Sequence, residues 1–226
     1  MLSSLIDLLF PRICLACGNS CPVKYNQICL TCRNELPQTN WHLTKAHPLE
    51  KLFWGRLSLE KSTSFLKFEQ GGKVQLLIHH LKYKGVKELG ITLGEMAAIE
   101  LKKSDFFESI EYIIPVPIHP IKQQKRGYNQ SHFIAEGIAN ITGIPLNKSA
   151  LTKDYNTSSQ TKKSRFKRWL NVNTTFKITD EALFKNKNVL LIDDVITTGS
   201  TIEACSKELL KIEGVKLNLL TIAATY

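Results

Sequence analysis

The chain has 226 residues, of which 43% are hydrophobic and 22% charged, and it carries a formal net charge of +10 at pH 7. This composition is that of an ordinary globular protein, so it excludes collagen-like, low-complexity and mainly disordered classes. The length predicts one full domain with a small additional module, and the positive charge favours anionic partners such as phosphates, nucleic acid or acidic lipid.

The first eleven residues predict a short amphipathic helix rather than a secretory signal, because a basic flank and a small-residue cleavage site are missing. No apolar run approaches the roughly 18 residues that a membrane helix needs. We expect this helix to dock on its own protein, with weak attachment to a membrane surface as the alternative. The expected location is cytoplasmic, with the inner face of the membrane as one place of action. The apolar positions of the helix are Leu2, Leu5, Ile6, Leu9 and Phe10.

Five of the six cysteines lie between residues 14 and 32. They include two C-x-x-C pairs, each of which directs two thiolates at one point, so that together they can complete a tetrahedral zinc site. A redox pair would use a single C-x-x-C, and a disulfide framework would suit a secreted chain. The role of Cys21 is left open. The predicted ligands of a structural Zn²⁺ are Cys14, Cys17, Cys29 and Cys32.

Predicted strands and helices alternate along the rest of the chain. The strands are predicted at 63–68, 110–116, 144–146, 189–192 and 215–223, and the helices at 74–81, 88–103, 130–142 and 200–212. Such alternation predicts an α/β fold in which helices cover both faces of a parallel sheet. We place the N-terminal helix and zinc module at 1–36, a connector at 37–60 and the α/β domain at 61–226. Helical spacing in the last helix predicts that Cys205 faces the core.

Residues 189–201 concentrate the predicted chemistry. A buried strand ends in Asp193 and Asp194, and the sequence TTGST at 197–201 then opens a helix. Ligands of open α/β sheets bind at the carboxyl ends of strands, and a helix N-terminus holds phosphate. Two carboxylates beside such a cradle predict a sugar phosphate with its Mg²⁺. A P-loop or dinucleotide fold is disfavoured because neither glycine motif is present, which leaves a capped helix with solvated acids as the alternative.

This segment resembles the thirteen-residue phosphoribosyl pyrophosphate (PRPP) motif of type I phosphoribosyltransferases. The resemblance implies that Asp193 and Asp194 are the catalytic pair that binds the ribose hydroxyls. It also implies a 5′-phosphate cradle made of Thr197, Thr198, Gly199, Ser200 and Thr201.

Further motifs resemble the ComF family of competence proteins. They are the double C-x-x-C module, PVP at 115–117, RGYNQ at 126–130, KYKG at 82–85 and the C-terminal PRPP motif. The resemblance implies a type I phosphoribosyltransferase-like fold, a pyrophosphate-binding loop at 117–128 and a hood loop at 152–176. It links the chain to natural transformation and to the membrane DNA-uptake machinery. The implied pyrophosphate-binding residues are Lys122, Arg126 and Gly127, whereas Lys153 departs from the arginine that is usual in the family.

Basic residues concentrate between positions 119 and 170, where ten Lys/Arg stand against two acids, which is +8 of the total +10. Tyr128, Tyr155, Phe166 and Trp169 lie among them, and aromatics among cations suit single-stranded nucleic acid. The alternative is that the aromatics belong partly to the core and the cations serve only PRPP. The predicted DNA-binding residues are Lys162, Lys163, Arg165 and Arg168.

Two functions follow from these patterns. The first is a ComF-like protein that handles incoming single-stranded DNA and has a PRPP-binding pocket. The alternative is an active phosphoribosyltransferase, transferring a pentosyl group to a base, amine or nucleotide, without a direct DNA role. The sequence does not specify the acceptor.

Overall fold

The structure, a computed structural model, describes residues 12–21, 27–155 and 174–225. The predicted N-terminal helix lies outside these ranges, as do the central part of the predicted hood loop and the four predicted DNA-binding residues, Lys162, Lys163, Arg165 and Arg168. Within the described ranges, no helix is both long and apolar enough to cross a membrane.

The described elements follow the predicted alternation of strands and helices. The strands are β1 (Lys61–Lys67), β2 (Tyr112–Pro115), β3 (Leu151–Tyr155), β4 (Thr174–Ile178), β5 (Asn188–Ile196) and β6 (Lys216–Ala224). The α-helices are α1 (Leu30–Glu35), α2 (Pro48–Phe53), α3 (Lys73–Tyr83), α4 (Glu88–Leu101), α5 (Pro120–Arg126), α6 (Gln130–Thr142), α7 (Glu181–Phe184) and α8 (Ser200–Leu209).

A four-stranded parallel sheet in the order β1-β6-β5-β2 forms the centre of the molecule. Successive side chains of β5 point to opposite faces, as the two-residue repeat of a strand requires. Leu190 and Ile192 join one core with α3, α4 and α6, whereas Val189 and Leu191 join the other with α2 and α8. The prediction of a parallel sheet with helices on both faces is therefore confirmed.

Helices α4 and α6 cross at backbone contact. A Cβ atom on Gly94 would overlap the carbonyl oxygen of Ile134, and one on Gly137 would overlap the carbonyl oxygen of Ile91. Because only glycine lacks this atom, the two positions allow the helices to approach this closely. The crossing fixes the position of α6, whose first turn carries Ser131 to the carboxyl edge of the sheet.

The structure differs from the sequence-based expectation in several connections. Most of the predicted pyrophosphate loop is helix α5, which begins with Pro120 and ends at Gly127, whose φ is 81°. His119 caps this helix, because its Nδ1 accepts a hydrogen bond from the N–H of Ile121 at 3.1 Å. The ends of the predicted hood loop pair as the antiparallel strands β3 and β4. The short strand expected at 144–146 is reduced to a single bridge between Leu146 and Ile113.

Candidate functional site

The two adjacent aspartates lie near the carboxyl end of β5, which continues past them to Ile196. The hydroxyl of Ser131 donates a hydrogen bond of 2.9 Å to Oδ1 of Asp193. Nζ of Lys82, at the end of α3, lies 3.0 Å from Oδ1 of Asp194, which is only 8% exposed. Two helices from one face of the sheet therefore hold the acid pair in place.

Burial and a neighbouring carboxylate disfavour the ionised form of Asp193. Burial and the adjacent charge of Asp194 raise the pKa of Asp193 to about 7 from its ordinary value of 3.8. The backbone N–H of Asp194 and the hydroxyl of Ser131 lower that pKa, but they do not outweigh burial. A carboxylate in this state gains stability from a cation or from hydroxyl donors, which is typical of a functional site.

The aspartates face a cleft of about 210 Å³ at the sheet edge. The neutral polar residues that line it include Asn129, Ser131 and Thr201. Its walls carry both charges, so an anion and a polyhydroxyl group can bind side by side. The charged residues that line it are Lys82, Lys122, Arg126, Lys153, Asp193 and Asp194.

The predicted phosphate cradle adjoins this cleft. A small hollow of about 60 Å³ is lined by Asp193 and by residues 195–202, and Thr201 lines both the hollow and the cleft. Gly199 caps α8 with φ of 74°, a conformation that favours glycine. The hydroxyl oxygens of Thr198 and Ser200 lie 3.0 Å apart. The structure thus brings the acid pair and all five predicted cradle residues together.

Residues of the connector pack against the cradle, a contact that the sequence does not predict. A Cβ atom on Gly199 would lie 2.9 Å from the ring of Phe53 and 3.1 Å from Leu52. Arg56 forms an ion pair with Glu203 of α8, and its guanidinium lies 5.9 Å from the Phe53 ring centroid. The sequence signal was the pair of aromatic residues at 53–54 in a segment without clear periodicity.

Two of the three predicted pyrophosphate-binding residues, Lys122 and Arg126, line the cleft, whereas Gly127 forms the turn that ends α5. Lys153 reaches the same cleft from β3 and places its Nζ 5.1 Å from the Phe176 ring centroid. The pKa of Lys153 is lowered, mainly because the side chain is buried. The charge of Lys122 lowers this pKa further, whereas Cys205 and Asp193 act in the opposite direction.

Arg126 and the tyrosines near it have distinct roles. Nη1 of Arg126 donates a hydrogen bond of 2.9 Å to Oε1 of Gln130, and its guanidinium lies 5.2 Å from the ring centroid of Tyr83. The hydroxyl of Tyr128 donates to the carbonyl of Leu81, and its ring packs edge-on against Phe133. Tyr128, which the sequence grouped with DNA-stacking aromatics, is therefore a packing residue.

The cysteine module presents a separate candidate site. The sulfur atoms of Cys14, Cys17, Cys29 and Cys32 all lie within 4.8 Å of one another. Those of Cys17 and Cys29 are 3.9 Å apart, close to the about 3.8 Å edge of a tetrahedron with Zn–S bonds of about 2.3 Å. The four residues can therefore hold a metal ion, whereas Cys21 is buried outside this group of four.

Hydrogen bonding favours the thiolate form in one member of the cluster. Burial acts to raise the pKa of Cys14, but backbone N–H groups, those of Cys29 and Ala16 first, lower it to about 6. Cys205 is different, because burial raises its pKa well above the ordinary value and its side chain is fully enclosed. Its predicted place in the core is confirmed.

Comparison with known proteins relates the chain to a domain family and to curated proteins. Residues 129–225 match the phosphoribosyl transferase domain family. "Competence protein F" of Haemophilus influenzae is 30% identical over 143 residues, which are 62% of this chain and 62% of that protein. "DNA utilization protein YhgH" of Escherichia coli O157:H7 is 26% identical over 180 residues, 78% of this chain and 75% of that one. "Competence protein ComFC" of Bacillus subtilis is 28% identical over 52% of this chain and 49% of that one. The chain thus matches less than two thirds of the Haemophilus and Bacillus proteins.

Proposed function

The chain belongs to the ComF family of competence proteins, and we propose that it handles single-stranded DNA during natural transformation and binds PRPP or a related sugar phosphate. The observation that carries the proposal is the cleft in which Asp193 and Asp194 adjoin a phosphate cradle and four basic side chains. The proposed place of action is the cytoplasm, at the inner face of the membrane beside the DNA-uptake machinery.

Each part of the cleft suits one part of PRPP. The carboxylates of Asp193 and Asp194 accept hydrogen bonds from the ribose hydroxyls, which compensates the desolvation of the buried Asp193 carboxylate. The cradle at 197–201 offers hydroxyls and helix N–H groups to the 5′-phosphate. Lys122, Arg126 and Lys153 face the cleft and bind the pyrophosphate. Mg²⁺, bound together with PRPP, would supply further neutralisation of the pyrophosphate charge.

The second candidate function is phosphoribosyl transfer to an unidentified base, amine or nucleotide. The acid pair favours it, because a pure DNA-binding groove gains nothing from two carboxylates among its cations. In this reaction the bond from C1 to pyrophosphate breaks and a bond from C1 to the acceptor forms. The carboxylates stabilise positive charge developing on the ribose, and the cations stabilise the departing pyrophosphate.

The basic side chains along the cleft support the DNA part of the proposal. Lys122 and Arg126 line the cleft, and the predicted DNA-binding residues Lys162, Lys163, Arg165 and Arg168 follow β3 in sequence. Binding through such cations releases counterions, so it weakens steeply as the salt concentration rises. The role of the four residues stays a prediction that their joint replacement by alanine tests.

We further propose that the metal of the cysteine cluster is a structural Zn²⁺. Four cysteines leave no coordination position for a substrate, as in structural zinc sites. Residues 1–36 then form the zinc module with its N-terminal helix, 37–60 the connector, and 61–226 the phosphoribosyltransferase-like domain.

Calorimetric titration with Mg·PRPP tests the pocket directly. The parent protein is expected to bind, and the double variant Asp193→Asn/Asp194→Asn is expected to lose binding while it keeps its fold. Equal binding by both proteins, or no binding by the folded parent, would contradict the proposed pocket. Asp105→Asn, at an exposed carboxylate, is the matched control and should bind as the parent does.

A further inference from the structure

An exposed tyrosine, Tyr83, lies beside Arg126, which lines the cleft. Tyr83 is the last residue of α3 and is 59% exposed. The residue before it, Lys82, contacts Asp194, and the chain turns at Gly85, where φ is 73°. The ring therefore emerges from the helix turn that holds the acid pair.

The tyrosine is paired with a planar cation that belongs to the cleft. The guanidinium of Arg126 lies 5.2 Å from the Tyr83 ring centroid, and its Nη1 is held by Gln130. Arg126 also lines the cleft that contains the aspartates, whereas the ring of Tyr83 is exposed to solvent. The two planar groups therefore lie side by side between solvent and the cleft. His79 contacts the ring of Tyr83 with a centroid distance of 5.1 Å, which limits the positions of the ring.

The surroundings of this pair are positively charged. Lys84 and Lys87 follow Tyr83 in sequence and are exposed, as are Lys122 and Lys125 on α5. Glu88 is an acid in the same region; together with burial, which has the larger effect, its charge raises the pKa of Tyr128. The patch thus joins an exposed aromatic ring and a planar cation to several flexible cations, which matches a ligand that has a flat π-face and attached phosphates.

We propose that Tyr83 and Arg126 form a stacking platform for a nucleobase beside the cleft, with the attached phosphates on the neighbouring lysines. The base belongs to a nucleotide, at the end of a single strand or free in solution. The inference deepens the proposed function and rests on it for the nucleic-acid class of the ligand. It also places one DNA contact on α3 and α5, apart from the residues that the sequence predicted at 162–168.

The test compares an oligothymidylate 20-mer with an abasic 20-mer, which has the same phosphates but no bases. Affinities of the full-length protein are measured by fluorescence anisotropy at fixed salt concentration. Tyr83→Ala is expected to weaken oligothymidylate binding about tenfold, as loss of one base–aromatic stack does. It should leave the abasic affinity within about twofold, because phosphate contacts carry that binding.

Two control variants show that the loss comes from the aromatic ring. Tyr83→Phe keeps the ring and should bind both strands as the parent does. Leu43→Ala removes a side chain of the connector that is 65% exposed, and it should change neither affinity. Thermal unfolding of each variant checks the fold, which removal of an exposed ring should leave intact.

A competition experiment, in which thymidine monophosphate displaces the oligothymidylate 20-mer, distinguishes the two sources of the base. If Tyr83→Ala weakens the affinity for the mononucleotide alone, the platform binds a free nucleotide. If it weakens the affinity for the 20-mer alone, the platform binds a strand. Equal loss on the abasic strand, or no loss in either arm, would overturn the platform. PRPP calorimetry is independent of this result, so failure of the platform leaves the test of the pocket unaffected.

Discussion

The cysteine cluster and the cleft both gather ionisable side chains, but they draw them from very different lengths of chain. The four cysteines lie within residues 14–32, whereas the cleft takes its charged side chains from α3, α5, β3 and β5, over residues 82–194. In the cluster, four sulfurs surround one point and can close around a metal. In the cleft, four basic side chains stand against two carboxylates, so positive charge is left for an anionic group of a ligand and carboxylate oxygens are left for its hydroxyls. The comparison separates a closed group of four possible metal ligands from an open cleft lined by both charges.

Replacing two cysteines breaks the closed site and should have the largest effect. Cys29→Ser/Cys32→Ser is expected to lower zinc from about one atom per chain to none, because serine is a poor zinc ligand. The module should then unfold, since structural zinc contributes about 10–16 kcal/mol to the folding of small zinc domains. Metal analysis and limited proteolysis measure both effects, and the sheet domain is expected to survive. Thr31→Ala, at an exposed residue between the same cysteines, should retain zinc; unchanged zinc in the cysteine variant would refute the ligand assignment.

The pH dependence of the free energy of unfolding tests whether Asp193 in the cleft is held in an unfavourable charge state. The pKa of Asp193 is raised in the folded state, so its contribution favours folding at low pH and is lost as pH rises through about 7. Asp193→Asn should therefore be more stable than the parent at pH 8, by as much as about 4 kcal/mol for a pKa raised from 3.8 to about 7, and the difference should shrink toward pH 4. Denaturant unfolding across pH measures it. A parent that gains stability over Asp193→Asn with rising pH would contradict the raised pKa of Asp193.

The connector's support of the cradle should give the smallest effect. Arg56→Ala removes a partly exposed ion pair with Glu203, and such pairs contribute about 0.2–1 kcal/mol. We expect the dissociation constant for Mg·PRPP to rise about two- to threefold, through loosening of the first turn of α8. Lys211→Ala removes an ion pair with Glu208, outside the cradle, and should leave binding unchanged. Equal effects of the two variants in the calorimeter would show that the Arg56 contact of the connector does not position the cradle.

The sequence was most informative where the functional groups are close in the chain. The cysteine spacing and residues 189–201 led directly to the cluster and to the acid pair with its cradle. The contacts of Ser131 with Asp193 and of Lys82 with Asp194 depend on how α6 and α3 pack on the sheet. Their partners lie 62 residues or more away, and local spacing carries no information about such pairs.

Local patterns also gave incomplete answers in the connections. The sequence predicts a loop over 117–128, whereas Pro120 and the His119 cap allow a short exposed helix there. Tyr128 was grouped with stacking aromatics because it follows basic residues. Its hydroxyl instead satisfies the carbonyl of Leu81, a tertiary contact that only the fold reveals.

The backbone contact between α4 and α6 has a consequence for how this protein can vary. Apolar cores adjust to substitutions because side chains can repack. At Gly94 and Gly137 the two helices touch through main-chain atoms, and there is no side chain at the contact that could repack. The position of α6 relative to α4 is thus set by a rigid joint, and Ser131 lies in the first turn of α6. Substitutions in the surrounding apolar residues should alter stability while ligand affinity stays constant, which leaves the cleft rim as the place where specificity can diverge.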